Sequence, residues 1–269
     1  MRINTNINAM IATNQMSKNT ALAGNSMEKL STGLRITKAG DDAAGLAVSE
    51  KMRSQIRGME QADRNVQDGI SLVQTAEGAL EEAGNIAQRM RELTVQGGND
   101  TLAAKDREKI DAELKQLGEE MEKISAETKF NGTSLLNKAG NKITIQAGAN
   151  KETREIDLTD LKTIAGTVAG LKVTDNTTAQ ASQKKIDEAL ESINKGRADL
   201  GAMQNRLEAT SSNLTTSTEN LTAAESRIRD VDVAKEMVKL SKLNILSQAS
   251  QAMVGQAKQQ PESVTQLLR

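Results

Sequence analysis

The sequence predicts a mainly α protein: a long antiparallel helical bundle with coiled-coil-like seams, a small β-hairpin, and a paired N-/C-terminal helical domain. Three observations carry this prediction. First, 269 residues hold one aromatic side chain, Phe130, and one proline, Pro261, with no Trp, Tyr, His or Cys. A core without aromatics must come from aliphatic seams, and a chain nearly free of proline can stay helical for long stretches. Second, from Ile186 onward every seventh residue is large and apolar: Ile186, Ile193, Leu200, Leu207, Leu214, Leu221 and Ile228. A sustained seven-residue repeat marks a coiled-coil-like bundle seam. Third, residues 3–17 and 244–257 carry no charge, whereas everything between is densely charged; free chain ends are ordinarily polar.

Taken in order, the first helix is expected from about Ile3 to Leu30, closed by Gly33. A loop, Lys38 to Gly45, follows. A long helix is expected from about residue 58 to Gln96, stopped by Gly97-Gly98, with its seam at Met59, Ala62, Val66, Gly69, Val73, Ala76, Leu80, Ala83, Ala87, Met90 and Thr94. The next helix, about 103–127, puts Ile110, Leu114, Leu117, Met121 and Ile124 on one face, with Asn99, Asp100 and Thr101 as candidate caps. Phe130-Asn131-Gly132 reads as a turn. Ile143 and Ile145, then Ile156 and Leu158, alternate with polar residues across Ala147-Gly148-Ala149-Asn150, which predicts a hairpin. Residues 173–178 read as loop. The last long helix then runs from the start of the repeat to Val231, its interleaved positions mostly small: Ala189, Gly196, Met203, Thr210, Ser217, Ala224 and Val231. The domain reading is a discontinuous terminal-helix domain, 1–43 with 230–269, a connecting segment 44–57, and a bundle domain 58–229 with a hairpin and loop region at about 130–180.

Isolated helices of this kind are marginal and need partners. The long helix finds them in the helices at 59–97 and 103–127. The ends do not find enough. Met237, Val238, Leu240, Leu243, Ile245, Leu246, Ala249, Met253 and Val254 surround their helix, and a helix apolar on several sides is buried on several sides. Burial against other subunits is the expectation, with Ile3, Ile7, Ile11, Val238, Ile245, Leu246, Ala249 and Met253 as candidate packing residues.

Composition excludes several functions. The net charge is −1, which leaves no basic excess for phosphates, so no nucleic acid is expected. Without Cys or His there are no thiolate or imidazole metal ligands, and no cofactor or enzyme activity is expected. No apolar run approaches the roughly 20 residues that span a bilayer, and the N-terminus lacks the apolar core of a cleaved signal peptide. Asp41-Asp42 after Gly40 reads as a turn plus helix N-terminal acids in preference to a cation site. Ser26, Ser182 and Ser192 each precede a Lys by three positions, a chance spacing in a chain rich in both.

Several blocks carry a family resemblance. They are Ile3-Asn-Thr-Asn-Ile, Leu30-Ser-Thr-Gly-Leu-Arg-Ile, Gly40-Asp-Asp-Ala-Ala-Gly-Leu-Ala-Val-Ser-Glu, Gln67-Asp-Gly-Ile-Ser-Leu-Val-Gln-Thr-Ala-Glu-Gly-Ala-Leu, Thr128-Lys-Phe-Asn-Gly, Asn220-Leu-Thr-Ala-Ala-Glu-Ser-Arg-Ile-Arg-Asp-Val-Asp, Asn244-Ile-Leu-Ser-Gln-Ala-Ser-Gln-Ala-Met and Leu267-Leu-Arg. In this order they resemble bacterial flagellin, in a short form lacking the variable outer domains. The resemblance implies a helical homopolymer whose paired terminal helices line a tube. It implies export through the flagellar type III apparatus to the extracellular flagellum. It also implies partners: an export chaperone at the C-terminal helix, the filament cap and hook-associated junction proteins. Gln88-Arg89-Met90-Arg91-Glu92-Leu93 resembles the segment recognised by the vertebrate Toll-like flagellin receptor, which implies contacts at Arg89, Leu93 and Glu113. The alternative within the family is the hook–filament junction protein.

Overall fold

The computed structural model describes residues 6–138 and 140–267, with side chains as far as residue 259. Helices begin where a short polar side chain can accept the first free backbone N–H groups. Asn6 does this for α1 (Ile7–Thr32), accepting from Ala9 N–H at 3.1 Å. Asp42 does it for α2 (Ala43–Gly97), accepting from Gly45 N–H at 2.8 Å. Asp160 starts α4 (Leu161–Val168) through Thr163 N–H, and Asp175 starts α5 (Asn176–Arg229) through Thr178 N–H at 2.7 Å. Asp232 starts α6 (Val233–Leu267) through Lys235 N–H at 3.1 Å. The helix α3 (Ala104–Glu127) differs: its N-cap is Ala103 and no side chain caps it, while Asn99 instead closes the preceding turn onto Thr101 N–H.

The helix bounds correct the sequence reading in four places. The stretch 44–57, expected as a connecting segment before a helix at about 58, is already helical from Ala43. The apparent obstacle, Gly58, is a mid-helix glycine whose missing Cβ makes room for Ala149, 2.9 Å from where that atom would stand. Residues 161–168 are helical and bury Leu161, Ala165 and Val168 at helical spacing, although that stretch was expected to be hairpin and loop. The helix α5 begins at Asn176, inside the expected loop, because Asp175 and Thr178 cap each other's backbone. It also ends at Arg229, before Val231. The helix α6 continues to Leu267 through Pro261.

Contacts group the chain into two units. Unit 2 comprises Gln55–Glu219. Its core is aliphatic: Leu80, Met90, Leu93, Leu114, Met121, Ile186 and Ile193 are all fully buried. The helices α2 and α5 run antiparallel, as Arg91 bonded to Asp187 at 2.6 Å and Ser211 bonded to Asp63 at 2.5 Å require. Close approach is possible because facing positions are small. Gly118 of α3 abuts the backbone of Ala169 at the end of α4, 2.7 Å from where a Cβ would sit. Two hairpins complete the unit. The first, β1 (Lys129–Phe130) with β2 (Thr133–Ser134), turns on Asn131 and Gly132, both at positive φ, the two-residue turn that suits a right-twisted hairpin. The second, β3 (Lys142–Gln146) with β4 (Thr153–Asp157), pairs Ile143 with Ile156 and Ile145 with Arg154.

Unit 1 comprises Met1–Ser54 and Asn220–Arg269. The helices α1 and α6 form an antiparallel pair. The chain joins them to their neighbours through a short antiparallel bridge, Leu34 with Asp230.

Replacing Ile193 by Ala is expected to destabilise unit 2 by about 2–5 kcal/mol, since this side chain is fully buried on the seam. Leu221→Ala, at a half-buried seam position, costs clearly less. Urea denaturation followed by circular dichroism at 222 nm measures both.

Candidate functional site

The helix pair of unit 1 is inside out by the standards of a globular core. Its buried side chains are Asn19 and Ser26 on α1 and Leu243 on α6. Polar bonds cross between the helices: Asn6 Nδ2 donates to Ala257 O at 2.6 Å and Asn19 Nδ2 to Ser250 Oγ at 3.4 Å. Many of the large apolar groups are exposed instead. Ile7, Met10, Ile11, Leu22 and Met27 are exposed on α1, as are Val233, Met237, Val238, Ile245, Leu246 and Met253 on α6. Val238 is 71% exposed. Met237, Val238, Ser241, Lys242, Ile245 and Leu246 line one open, mostly apolar groove.

Of the candidate packing residues, Ile7, Ile11, Val238, Ile245, Leu246, Ala249 and Met253 therefore lie on the exposed surface of the pair; Ile3 lies outside the described residues. The structure adds Met10, Leu22, Met27, Val233 and Met237 to that surface. Leu22 and Val233 were missed because they stand beyond the two uncharged terminal stretches. Of the seam candidates, Ile186, Ile193, Leu200, Leu207 and Leu214 are buried in unit 2, while Leu221 and Ile228, in unit 1, are half-buried.

The loop between α1 and α2 is held by charge. One carboxylate oxygen of Asp41 accepts from Thr37 N–H at 3.1 Å, Thr37 Oγ1 at 3.1 Å and Lys38 N–H at 3.2 Å. Those two backbone donors, then the hydroxyl, lower its pKa from 3.8 to about 2. Asp42 is used as the α2 cap and also faces Arg35 at 3.8 Å. Both acids are thus committed to turn and cap, and among the described residues no cluster of acids could hold a metal ion. On α6, the Ser26 hydroxyl and then Lys239 hold the Glu236 carboxyl below its usual range.

In unit 2, Arg89 and Glu113 meet: the guanidinium donates to Glu113 at 3.0 and 3.3 Å and to Glu92 at 3.1 Å. Both are exposed in part, whereas Leu93, one turn further on, is only 2% exposed and belongs to the core. The exposed apolar residue near them on α2 is Val95, which the sequence reading did not single out. No helix among the described residues is long and apolar enough to cross a membrane.

Comparison with known proteins accounts for the arrangement. Residues 3–141 match the bacterial flagellin N-terminal helical region, and residues 183–268 match the bacterial flagellin C-terminal helical region. A flagellin of Halalkalibacterium halodurans is 55% identical over 272 residues, covering 100% of both chains. A flagellin of Bacillus subtilis is 50% identical over 304 residues, again with 100% of both covered. The crystal structure of Bacillus cereus flagellin superposes with a TM-score of 0.52 at 36% identity, covering 60% of this chain and 94% of that one.

The Asp41 network makes a pH prediction. Because the folded pKa lies below the unfolded one, its contribution is complete above about pH 4 and is lost as pH falls through about 2. The amide resonances of Thr37 and Lys38 are expected to titrate with a midpoint near pH 2, and not near pH 4. In Asp41→Asn that titration disappears.

Proposed function

The chain belongs to the bacterial flagellin family, and we propose that it is a structural subunit, not an enzyme, that polymerises through its terminal helices into the flagellar filament that drives swimming. The observation that carries this reading is the inverted helix pair, with polar groups between α1 and α6 and large apolar groups facing outward on both. An isolated subunit leaves that surface in water. Fully burying one such side chain yields roughly 1.5–3 kcal/mol, so neighbouring copies that cover it gain a large driving force. The folded subunit is then held in place by mass action from its neighbours. The interior of the pair has little aliphatic packing of its own, which suits a unit completed only on assembly. The carriers we assign are Ile7, Ile11, Val238, Ile245, Leu246, Ala249 and Met253, joined by Met10, Leu22, Met27, Val233 and Met237.

The finer parts of the reading follow from family membership. The terminal-helix unit would line the tube, and the helical bundle would lie outside it. The subunit would leave the cell through the flagellar type III apparatus without a cleaved signal peptide and act extracellularly. Its α6 helix, which exposes Val238, Ile245 and Met253, is the natural seat for an export chaperone before assembly. The cap and junction proteins would meet the same terminal surfaces at the two filament ends. End-to-end coverage of flagellins supports the filament subunit over the hook–filament junction protein.

Recognition by the vertebrate Toll-like flagellin receptor is proposed at Arg89 and Glu113, with Leu93 supporting the α2 face from within. The Arg89–Glu113 ion pair is exposed, and exposed ion pairs add little to stability, so its removal tests recognition without unfolding the bundle.

Deleting residues 1–20 or 250–269 is expected to abolish polymerisation, scored by electron microscopy after salt-induced assembly, while circular dichroism retains the helical signal of unit 2. Normal filaments from either truncation would sink the assembly reading. Independently, Arg89→Ala and Glu113→Ala monomers are expected to activate the receptor less in a reporter-cell assay; unchanged signalling removes that assignment.

A further inference from the structure

The chain has eleven methionines and no Cys, Trp, Tyr or His. Methionine is therefore the one side chain here that a peroxide-type oxidant attacks readily. The fold sorts the methionines by exposure. Met90 and Met121 are fully buried and Met59 nearly so, all three in unit 2. Met16, Met52 and Met203 are half-buried. Among the described residues the exposed ones are Met10, Met27, Met237 and Met253, at 50–65%. All four lie on α1 and α6.

Their placement is not scattered. Asn6 bonded to Ala257 and Gly33 bonded to Val231 set the antiparallel register of the pair. That register brings Met10 within about one helical turn of the level of Met253, and Met27 within about one turn of Met237. Each end of the helix pair thus carries two exposed thioethers, on the surface that also bears Ile7, Ile11, Val238 and Ile245. Met237 itself lines the α6 groove.

We propose that Met10, Met27, Met237 and Met253 form an oxidation-sensitive control on assembly, one that peroxide-class oxidants set in the free subunit. This rests on the assembly reading above. A lone pair of the thioether sulfur attacks one peroxide oxygen; the S–O bond forms, the O–O bond breaks, and the departing hydroxide takes the proton from the new S–OH group and leaves as water. The sulfur is oxidised by two electrons and the peroxide reduced by two. The product sulfoxide is polar and chiral where a soft apolar group stood, a change that disrupts methionine-bearing interfaces. Burying its oxygen against an apolar neighbour raises the free-subunit concentration in equilibrium with polymer by about tenfold per unpartnered group. Reduction by a dithiol-dependent sulfoxide reductase returns the thioether and releases water, with the dithiol oxidised to a disulfide, so the control is reversible. In the polymer the same thioethers are covered and escape oxidation.

The test is a timed hydrogen peroxide pulse on the purified full chain, once as monomer and once as preassembled filament, with peptide mass mapping and a sedimentation assay for polymer. In the monomer these four residues are expected to oxidise at least about tenfold faster than Met59, Met90 and Met121. Oxidised monomer is expected to assemble at least about tenfold less well, and sulfoxide reductase is expected to restore assembly. In filaments the four are protected. The combined variant Met10→Leu, Met27→Leu, Met237→Leu, Met253→Leu, measured against its own untreated sample, is expected to lose less than about twofold on peroxide treatment. Uniform oxidation of all methionines, undiminished assembly of the sulfoxide form, or failure of the reductase to rescue overturns the proposal. If untreated chain forms no polymer, the assembly reading fails with it; if untreated chain polymerises and oxidation changes nothing, only this inference fails.

Discussion

Two main-chain hydrogen bonds hold the terminal unit in register: Arg35 N–H to Arg229 O at 2.7 Å and Val231 N–H to Gly33 O at 3.0 Å. Everything in unit 1 follows from them. Gly33, at φ 72°, lets α1 end and the chain turn. Arg35 then reaches Ile228 O with its guanidinium, at 2.6 Å, so the side chain satisfies a carbonyl left free where α5 stops. Arg229 answers with Glu50 on α2 at 2.6 Å. Ile36, fully buried, plugs the junction, and Asp41 closes the loop behind it. With both chain crossings pinned side by side, α1 and α6 must leave together as an antiparallel pair.

That pair inverts the logic of unit 2. Along α2 and α5 the large residues meet each other, and Gly69, with no Cβ, leaves room for Ile145 of β3 to pack onto α2. Without aromatics, close approach is what raises the buried aliphatic area. Between α1 and α6, Asn19 and Ser26 are buried together with Leu243, and many of the large aliphatic groups are exposed. The contrast is one of completion. Unit 2 closes its own aliphatic core, whereas unit 1 leaves many of its large apolar side chains exposed.

Much of this was legible in the residues. The heptad positions Ile186 to Leu214 are buried because a seven-residue period leaves little geometric choice. Asn131-Gly132 is the hairpin turn because those residues tolerate positive φ. The misreadings also have local causes. Gly58 looks like a helix boundary but is a clearance for Ala149. Leu161, Ile164, Ala165 and Val168 carry helical spacing, but eight residues are too short to stand out beside a hairpin. Asp42 starts a helix as its place after Gly40 indicates, while Asp160, Asp175 and Asp232 carry the same cap signal and were not singled out.

By itself, the sequence determined that the protein is helical, that its core is aliphatic and seam-like, and that its ends are unlike ordinary chain termini. Periodicity and composition are local properties, and they need no partner to be read. Tertiary structure alone decided which face of each helix is covered. Met253 and Met90 are the same residue type on equally helical segments, yet one is exposed and the other fully buried. The difference is what covers them: Met253 lies on the outer surface of the helix pair, whereas Met90 faces an aliphatic core. Burial is a property of a pair of surfaces, and a linear sequence shows only one of them.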